Sequence, residues 1–321
     1  MVKTPRMLVL PVLMSMTLIH GCVTINLLEP PGPVQEVQLA GSGDSKVLLM
    51  DLSGVISSQE KEGLLPQPNV LATFKEELTK ASKDEKVKAV VLRINSPGGT
   101  VNASDILYHE LKTFKANKKV PVIASMMDVA ASGGYYLAMA TDAIYVHPST
   151  VTGSIGVIML TVNAKGLLEK VGVEANAITS GPRKDMGSPF RTMTTEEKAI
   201  FQGVIDSFYQ RFLMVVQDGR PQLSADQIKK LADGRIYSGE QAKAAGLVDD
   251  IGYLDEAIER AKKDAGVTEA RIVTYRRHGE YQNNIYSRVL GGGSGLSSLA
   301  NMDLLSIVRG GSPQFMYLWM P

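Results

Sequence analysis

Short β-rich runs alternate with helix-like segments from Lys46 onwards, and this alternation limits the possible folds more than any other feature. Runs rich in Val, Ile and Leu that alternate with amphipathic helices are typical of a mostly parallel sheet covered by helices. The sequence therefore predicts an α/β fold, with a single domain over residues 46–275. The first units, in order, are KVLLMDLSGVI, a helical stretch over 70–82, VKAVVLRI, a helical stretch over 103–116, and VPVIASM.

The first 45 residues do not follow that pattern and divide into a leader and a linker. Lys3 and Arg6 precede an apolar run over residues 7–19. This run is shorter than the roughly 20 residues that span a bilayer and has the length of a signal-peptide core. Residues 1–21 are therefore predicted to be an export signal. Residues 22–45 are rich in Pro, Gly and Ser without helical or strand periodicity, which predicts a flexible tether.

Cys22, the only cysteine of the chain, ends the leader in the sequence LIHGC. A single cysteine has no disulfide partner within its own chain. Residues 19–22 resemble the lipobox of bacterial lipoproteins, in which the signal is cut before a cysteine that carries lipid. The resemblance implies that Cys22 is the lipid attachment site of a protein anchored to a membrane of the cell envelope. An uncleaved anchor and a buried free thiol are the alternatives.

Charge and motif spacing argue against several classes of partner. The formal net charge is only +1, and the Lys/Arg pairs lie in amphipathic helix-like stretches, so we expect no nucleic-acid binding. The glycine spacing of dinucleotide-binding loops is missing, and no lysine follows the glycine pair at Gly98 and Gly99 as in a P-loop. We therefore expect neither a cofactor nor a metal.

Two segments rich in small residues follow predicted strands and carry the candidate chemistry. In LRINSPGGT, residues 92–100, Asn, Ser, Pro and two glycines separate a β run from a helix. Such a turn can expose backbone N–H groups as an oxyanion hole, or it can be a simple β-to-α connection. In DVAASGGYYLAMA, residues 128–140, Ser132 stands at a strand-to-helix junction. It is either a nucleophile or an ordinary N-cap.

A nucleophilic serine needs a base, and no histidine lies within a dozen residues of Ser132. His109 lies on a polar helix face, and His278 lies beyond the last predicted strand. His147 precedes a proline at a strand end, where a structural role is the more common one. The competitor is Lys184 in TSGPRKDMGSPFR, a loop of small residues that is unusual for a solubilising charge. A solvated surface lysine remains the alternative there.

Three segments together resemble the signature segments of the bacterial signal peptide peptidase A family in its short, single-copy form. They are LRINSPGGTVNASD, VAASGGYYLAMATDAIYVHPSTVTGSIGV and SGPRKDMGSPFRTMTTEEK. The similarity extends over about residues 46–265. The family consists of serine-lysine peptidases on the spiral of ββα units shared with the Clp protease proteolytic subunit and the crotonases. The resemblance implies that Ser132 is the nucleophile, Lys184 the general base and Ser154 the residue that orients the lysine.

The same resemblance implies an acyl-enzyme mechanism on hydrophobic peptides such as remnant signal peptides. It also implies a homo-oligomer in which adjacent subunits supply the serine and the lysine of one site. A crotonase-like acyl-CoA enzyme and an inactive peptide-binding envelope scaffold are the alternative functions. The Gly-rich and then apolar residues 276–321 are predicted to form an extended C-terminal tail rather than core, which could pack on a neighbouring subunit.

The chemistry of a lysine base sets further requirements. An ordinary lysine, with a pKa of about 10.4, is neutral in only about 0.04% of molecules at pH 7, a handicap of roughly 4.6 kcal/mol. The lysine therefore needs an apolar pocket and a hydroxyl such as that of Ser154. Asp185 would oppose deprotonation, so we expect it to face elsewhere. The N–H groups of Gly99 and Gly133 are the predicted oxyanion hole.

Overall fold

The computed structural model describes residues 32–59, 69–277, 284–286 and 314–320. The predicted signal peptide over residues 1–21, Cys22 and His278 lie outside these ranges. Within them, no helix has both the length and the apolar character needed to cross a membrane.

The helices begin and end close to where the sequence pattern places them. Capping boxes are present at Thr194, Ser224 and Ser238, where the side chain of a Glu or Gln three residues later accepts a hydrogen bond from the N–H of the cap residue. The helices are α1 (Val70–Lys83), α2 (Val101–Lys118), α3 (Gly133–Ala138), α4 (Lys165–Lys170), α5 (Thr195–Gly219), α6 (Ala225–Leu231), α7 (Gly239–Ala244) and α8 (Leu254–Asp264).

The strands form one large sheet and one small sheet. They are β1 (Gln35–Ala40), β2 (Lys46–Ser53), β3 (Val87–Ser96), β4 (Gly98–Thr100), β5 (Val122–Ala131), β6 (Ala143–Val146), β7 (Val151–Gly153), β8 (Ile158–Met159), β9 (Ile236–Ser238), β10 (Asp250–Ile251), β11 (Arg271–Arg276) and β12 (Phe315–Leu318).

The large sheet has the order β1-β11-β2-β3-β5-β6-β10, and β7 pairs with the end of β5 and with β9. Its central strands β2, β3, β5 and β6 are all parallel. The predicted α/β fold is therefore confirmed. The small sheet has the order β4-β12-β8, and both of its pairings are antiparallel.

Helices cover both faces of the large sheet, which explains the continuous apolar runs of its strands. Alternate residues of β2 enter different clusters. Leu48 and Met50 belong to the larger cluster, which also contains buried residues of α1, α2 and α3. Val47 and Leu49 belong to the second cluster, together with buried residues of α8. The parallel strands are therefore buried between two apolar clusters, one on each face of the sheet.

The structure corrects two predictions about the ends of the chain. Part of the predicted tether over residues 22–45 is the strand β1, which pairs antiparallel with β11 from Gln35↔Arg276 onwards. Part of the predicted tail over residues 276–321 is the strand β12, in which Tyr317 is fully buried. In both cases the backbone N–H and C=O groups find partners on a strand distant in sequence, and local composition does not reveal such partners.

Candidate active site

Ser132 lies where β5 ends and α3 begins, at the strand-to-helix junction predicted from the sequence. The preceding residue, Ala131, pairs with Gly153 at the end of the parallel strand β7. The N–H of Ser132 donates to the carbonyl of Gly153 at 2.7 Å, and the N–H of Tyr136 donates to the carbonyl of Ser132 at 2.8 Å. The serine is thus held by the sheet on one side and by the first turn of α3 on the other.

The conformation of Ser132 is not that of an ordinary N-cap. Its φ of 52° and ψ of −113° lie in a region that residues with a Cβ rarely adopt. Its side chain makes no capping hydrogen bond with α3, and no hydrogen bond of Oγ is present within the described ranges. The residue is only 1% exposed. A strained, buried serine with an uncommitted hydroxyl fits a nucleophile better than a cap.

Ser154 lies beside Ser132 because it directly follows Gly153. Its φ is 49°, so the ends of both neighbouring strands carry a serine in a left-handed conformation. The N–H of Ser154 donates to the carbonyl of Arg235 at 2.8 Å, and the residue is 8% exposed. The sheet therefore brings the predicted nucleophile and the predicted lysine-orienting serine together.

The two predicted oxyanion-hole glycines are also neighbours. A Cβ built on Gly133 would lie 3.2 Å from the nitrogen of Gly99 and would overlap Oγ of Ser104. On β4, the carbonyl of Gly98 accepts from Ile56 N–H at 2.8 Å, and Thr100 N–H donates to the carbonyl of Ile56 at 2.9 Å. Because strand groups alternate in direction, Gly99 N–H points away from Ile56. The geometry is compatible with two backbone donors that act together.

Lys184 lies in the turns over residues 181–187, and its side chain is exposed. Its backbone N–H donates to the carbonyl of Gly181 at 3.1 Å. In the described part of the chain, no hydrogen bond joins its ammonium group to Ser132 or Ser154. The described residues of this chain therefore do not supply the burial that a lysine base requires.

Arg191, which is not among the residues predicted from the sequence, fixes the loop that carries Lys184. The Arg191 guanidinium bonds both carboxylate oxygens of Asp185, at 2.7 and 2.8 Å, and lowers the pKa of that carboxyl. It also pairs with Glu197 in the capping box of α5. Asp185 thus faces the guanidinium, which agrees with the expectation that it points away from the lysine. The recognisable signal was the i, i+6 spacing of opposite charges around residue 191.

Within the described ranges, no hydrogen bond joins His109 or His147 to Ser132. His147 is half-buried, its ring lies 5.2 Å from that of Tyr253, and burial lowers its pKa. Its Nε2 has no hydrogen-bond partner within the described ranges. His109 is exposed on α2. No group of three or more His, Cys, Asp and Glu side chains in the described residues could hold a metal ion.

Comparison with known proteins yields one consistent family. The model of peptidase family S49 matches residues 114–268, and the Clp protease model matches residues 68–152. A protein of Enterococcus faecium that carries the name signal peptide peptidase SppA is 37% identical over 243 residues, 75% of this chain and 70% of its own. A protease of Synechocystis sp. is 36% identical over 256 residues, 80% of this chain and 87% of its own. The chain belongs to peptidase family S49.

Family S49 membership confirms the resemblance found in the sequence and makes the chain a serine peptidase of the signal peptide peptidase A type. The chloroplastic serine protease SPPA of Arabidopsis thaliana is a further relative, 35% identical over 72% of this chain and 34% of its own length. Neither a crotonase-like acyl-CoA enzyme nor an inactive scaffold is favoured by these relatives. In the described ranges, Ser132 and Ser154 are the two serines with a positive φ.

Proposed function

We propose that this S49 serine peptidase is an envelope endopeptidase that cleaves hydrophobic peptides, including remnant signal peptides, with Ser132 as nucleophile and Lys184 as general base. The observation that carries the proposal is the strained, uncapped Ser132 beside Ser154 and beside the N–H groups of Gly99 and Gly133. The name of the Enterococcus faecium relative, signal peptide peptidase SppA, supports the choice of substrate.

The reaction follows from these positions. Ser132 Oγ attacks a peptide carbonyl while neutral Lys184 takes its proton, and the oxyanion is bound by the two glycine N–H groups. Lys184 then gives the proton to the leaving amine, and the acyl-enzyme is cleaved by water that the lysine activates. We expect each backbone donor to contribute about 3 kcal/mol to transition-state stabilisation, the order of magnitude lost when one donor of an oxyanion hole is removed.

The working site is proposed to need a second copy of the chain. Lys184 is exposed, and the segment around it carries large apolar side chains that are exposed as well. Contact of such a patch with another subunit would bury it and would remove water from the lysine. The exposed apolar residues of this segment are Val162, Leu167, Val171, Val173, Ile178 and Phe190.

The location of the enzyme is proposed from its N-terminus. Export by residues 1–21 and lipid attachment at Cys22 would place the peptidase on a membrane of the envelope, close to its substrates. Metabolic labelling with a palmitate analogue should mark the wild-type protein and leave the Cys22→Ser variant unmarked. Label retained by that variant would place the anchor elsewhere.

The dyad is tested by labelling the purified protein with a fluorophosphonate and by hydrolysis of a hydrophobic peptide. Both activities should disappear in Ser132→Ala and in Lys184→Ala. His147→Ala is the matched control, because it removes the histidine considered as the competing base, and it should retain activity. Loss of activity in His147→Ala together with full activity in Lys184→Ala would overturn the assignment.

The shared site has its own test. Inactive Ser132→Ala and Lys184→Ala chains, unfolded and refolded together, should regain part of the activity, because some interfaces then pair an intact serine with an intact lysine. Mixed oligomers that form and stay inactive would place both residues of a site in one chain.

A further inference from the structure

Ser96, the last residue of β3, lies between the two segments that carry the candidate chemistry. It is fully buried and pairs with Ala130 of β5, two residues before Ser132. A Cβ built on Gly134, in the first turn of α3, would lie 2.9 Å from the carbonyl oxygen of Ser96. In the other direction along the chain, Ser96 is followed by Pro97 and the glycine pair. One buried residue therefore contacts the nucleophile segment and begins the glycine turn.

The hydroxyl of Ser96 makes two hydrogen bonds, and each of them joins it to a different backbone segment. Ser96 Oγ donates to the carbonyl of Gly54 at 2.6 Å and accepts from the N–H of Gly98 at 3.1 Å. Gly54 lies in the segment that follows β2, and its own N–H donates to the carbonyl of Asn95 at 3.0 Å. The hydroxyl thus connects the segment after β2 with the first residue of β4.

The two connected segments set the direction of the Gly99 N–H. The carbonyl of Gly98 accepts from the N–H of Ile56 at 2.8 Å. The peptide bond between Gly98 and Gly99 is trans, so its N–H points away from Ile56. Ser96 Oγ bonds the preceding peptide unit and, through Gly54, also holds the segment that contains Ile56. Both neighbours of the unit that presents the proposed oxyanion donor therefore depend on one hydroxyl.

The glycine turn needs a restraint from outside, because glycine has wide conformational freedom. Gly98 has a φ of 99°, and a Cβ on Gly99 would overlap the backbone of Ile56, so neither residue can be stiffened by a side chain of its own. A Cβ built on Gly98 would lie only 2.6 Å from the nitrogen of Gly133. A shift of the turn would therefore change the spacing of the two proposed oxyanion donors.

We propose that Ser96 is a positioning residue of the peptidase, whose hydroxyl aligns the Gly99 N–H with the oxyanion that forms when Ser132 attacks. The proposal rests on the proposed roles of Ser132 and of the glycine N–H groups. Ser96 acts through Gly98 rather than on the substrate. Loss of its hydroxyl leaves a buried N–H and a buried carbonyl without their partner, which favours a shift of the turn. A misplacement of about 1 Å lowers the rate by up to about a hundredfold.

The test uses the full chain and compares Ser96→Ala with the wild type in the hydrolysis of a hydrophobic peptide. The value of kcat, normalised to the fraction of chains that a fluorophosphonate labels at completion, should fall roughly ten- to hundredfold. KM should change little, because the oxyanion interaction is made in the transition state and not with bound substrate. Ser125→Ala is the matched control and should keep the wild-type kcat. Ser125 is also fully buried, and its Oγ has no hydrogen-bond partner within the described ranges.

A peptide aldehyde gives a readout that a merely structural role would not move. Its hemiacetal with Ser132 places an oxygen in the oxyanion hole, so the inhibition constant should rise by about the factor by which kcat falls. Ser96→Thr keeps the hydroxyl and adds a methyl group at a fully buried position. It should be less stable than the wild type in calorimetric unfolding but should retain more kcat per labelled site than Ser96→Ala.

Three results would overturn the inference, and they differ in what they say about Ser132. Hydrolysis that depends on Ser132 with equal kcat in the wild type and Ser96→Ala would remove Ser96 from the site and leave the peptidase mechanism in place. A fall in kcat without weaker aldehyde inhibition would reduce Ser96 to a structural residue. No hydrolysis dependent on Ser132 in the wild type would refute the proposed nucleophile, and the inference would fail with it.

Discussion

The backbone strain at Ser132 predicts that glycine at this position lowers the stability of the fold less than glycine at an ordinary buried position does. The comparison is between Ser132→Gly and Ser132→Ala, which both lack the hydroxyl and are both expected to be inactive. They differ only in the Cβ that a φ of 52° and a ψ of −113° disfavour. Any difference in their stability therefore reports on that backbone conformation.

The expected magnitude follows from three contributions to the free energy of unfolding. Removal of the Cβ relieves about 1–3 kcal/mol of strain. Glycine gives the unfolded chain more freedom, which costs about 0.4–1 kcal/mol. Loss of one buried methyl group at a position that is 1% exposed costs about 0.8 kcal/mol. The sum predicts that Ser132→Gly lies between about 0.8 kcal/mol less stable and about 1.8 kcal/mol more stable than Ser132→Ala.

A glycine one residue earlier provides the control. Ala131 is fully buried in β5 and has no positive φ. Ala131→Gly in the Ser132→Ala background therefore carries the cost of a more flexible unfolded chain and the cost of a lost buried methyl group, and no backbone strain is relieved in return. It should lose about 1.5 kcal/mol, which is a fall in Tm of several degrees at about 2–4 °C per kcal/mol. Calorimetric unfolding of the three proteins makes the comparison. Equal losses for glycine at positions 131 and 132 would refute the claim of strain at the nucleophile.

Three further predictions concern the lysine loop and the glycine pair. Arg191→Met should lower kcat roughly ten- to hundredfold with little change in KM, as measured by steady-state kinetics. The reason is that the loop that carries Lys184 loses the ion pairs through which Arg191 connects it to α5. The pKa of Glu197 is held at about 2, below its usual 4.5, by Arg191 and by Thr194 N–H. The contribution of ionised Glu197 to the stability of the fold is therefore complete above pH 4.5 and is lost as the pH falls towards 2. Glu197→Gln should flatten the acid limb of a stability–pH curve over that range, and an unchanged slope would contradict the assignment. Gly99→Ala should abolish activity and lower stability by about 1–3 kcal/mol in chemical denaturation, because the new Cβ would overlap the Ile56 backbone.

Local sequence patterns determined the α/β class, the helix starts and the position of Ser132. Apolar periodicity and capping boxes act over a few residues, so Thr194, Ser224 and Ser238 could be recognised as caps without any knowledge of the fold. The strand-to-helix junction at Ser132 was visible for the same reason. The roles of Lys184 and Ser154 came instead from the resemblance to a family, and both remain proposals.

Only the tertiary structure decided which distant segments meet. The pairing of Ala131 with Gly153 sets Ser132 beside Ser154, and the strand β12 reaches the glycine pair from the far end of the chain. Strand partners are chosen by backbone hydrogen bonds and by burial against side chains far away in sequence, and neither leaves a local signature. For this reason composition suggested a tail where the structure has a buried strand against the candidate active site. The left-handed conformation of Ser132 has the same origin, because it is imposed by the sheet and the helix that the residue joins.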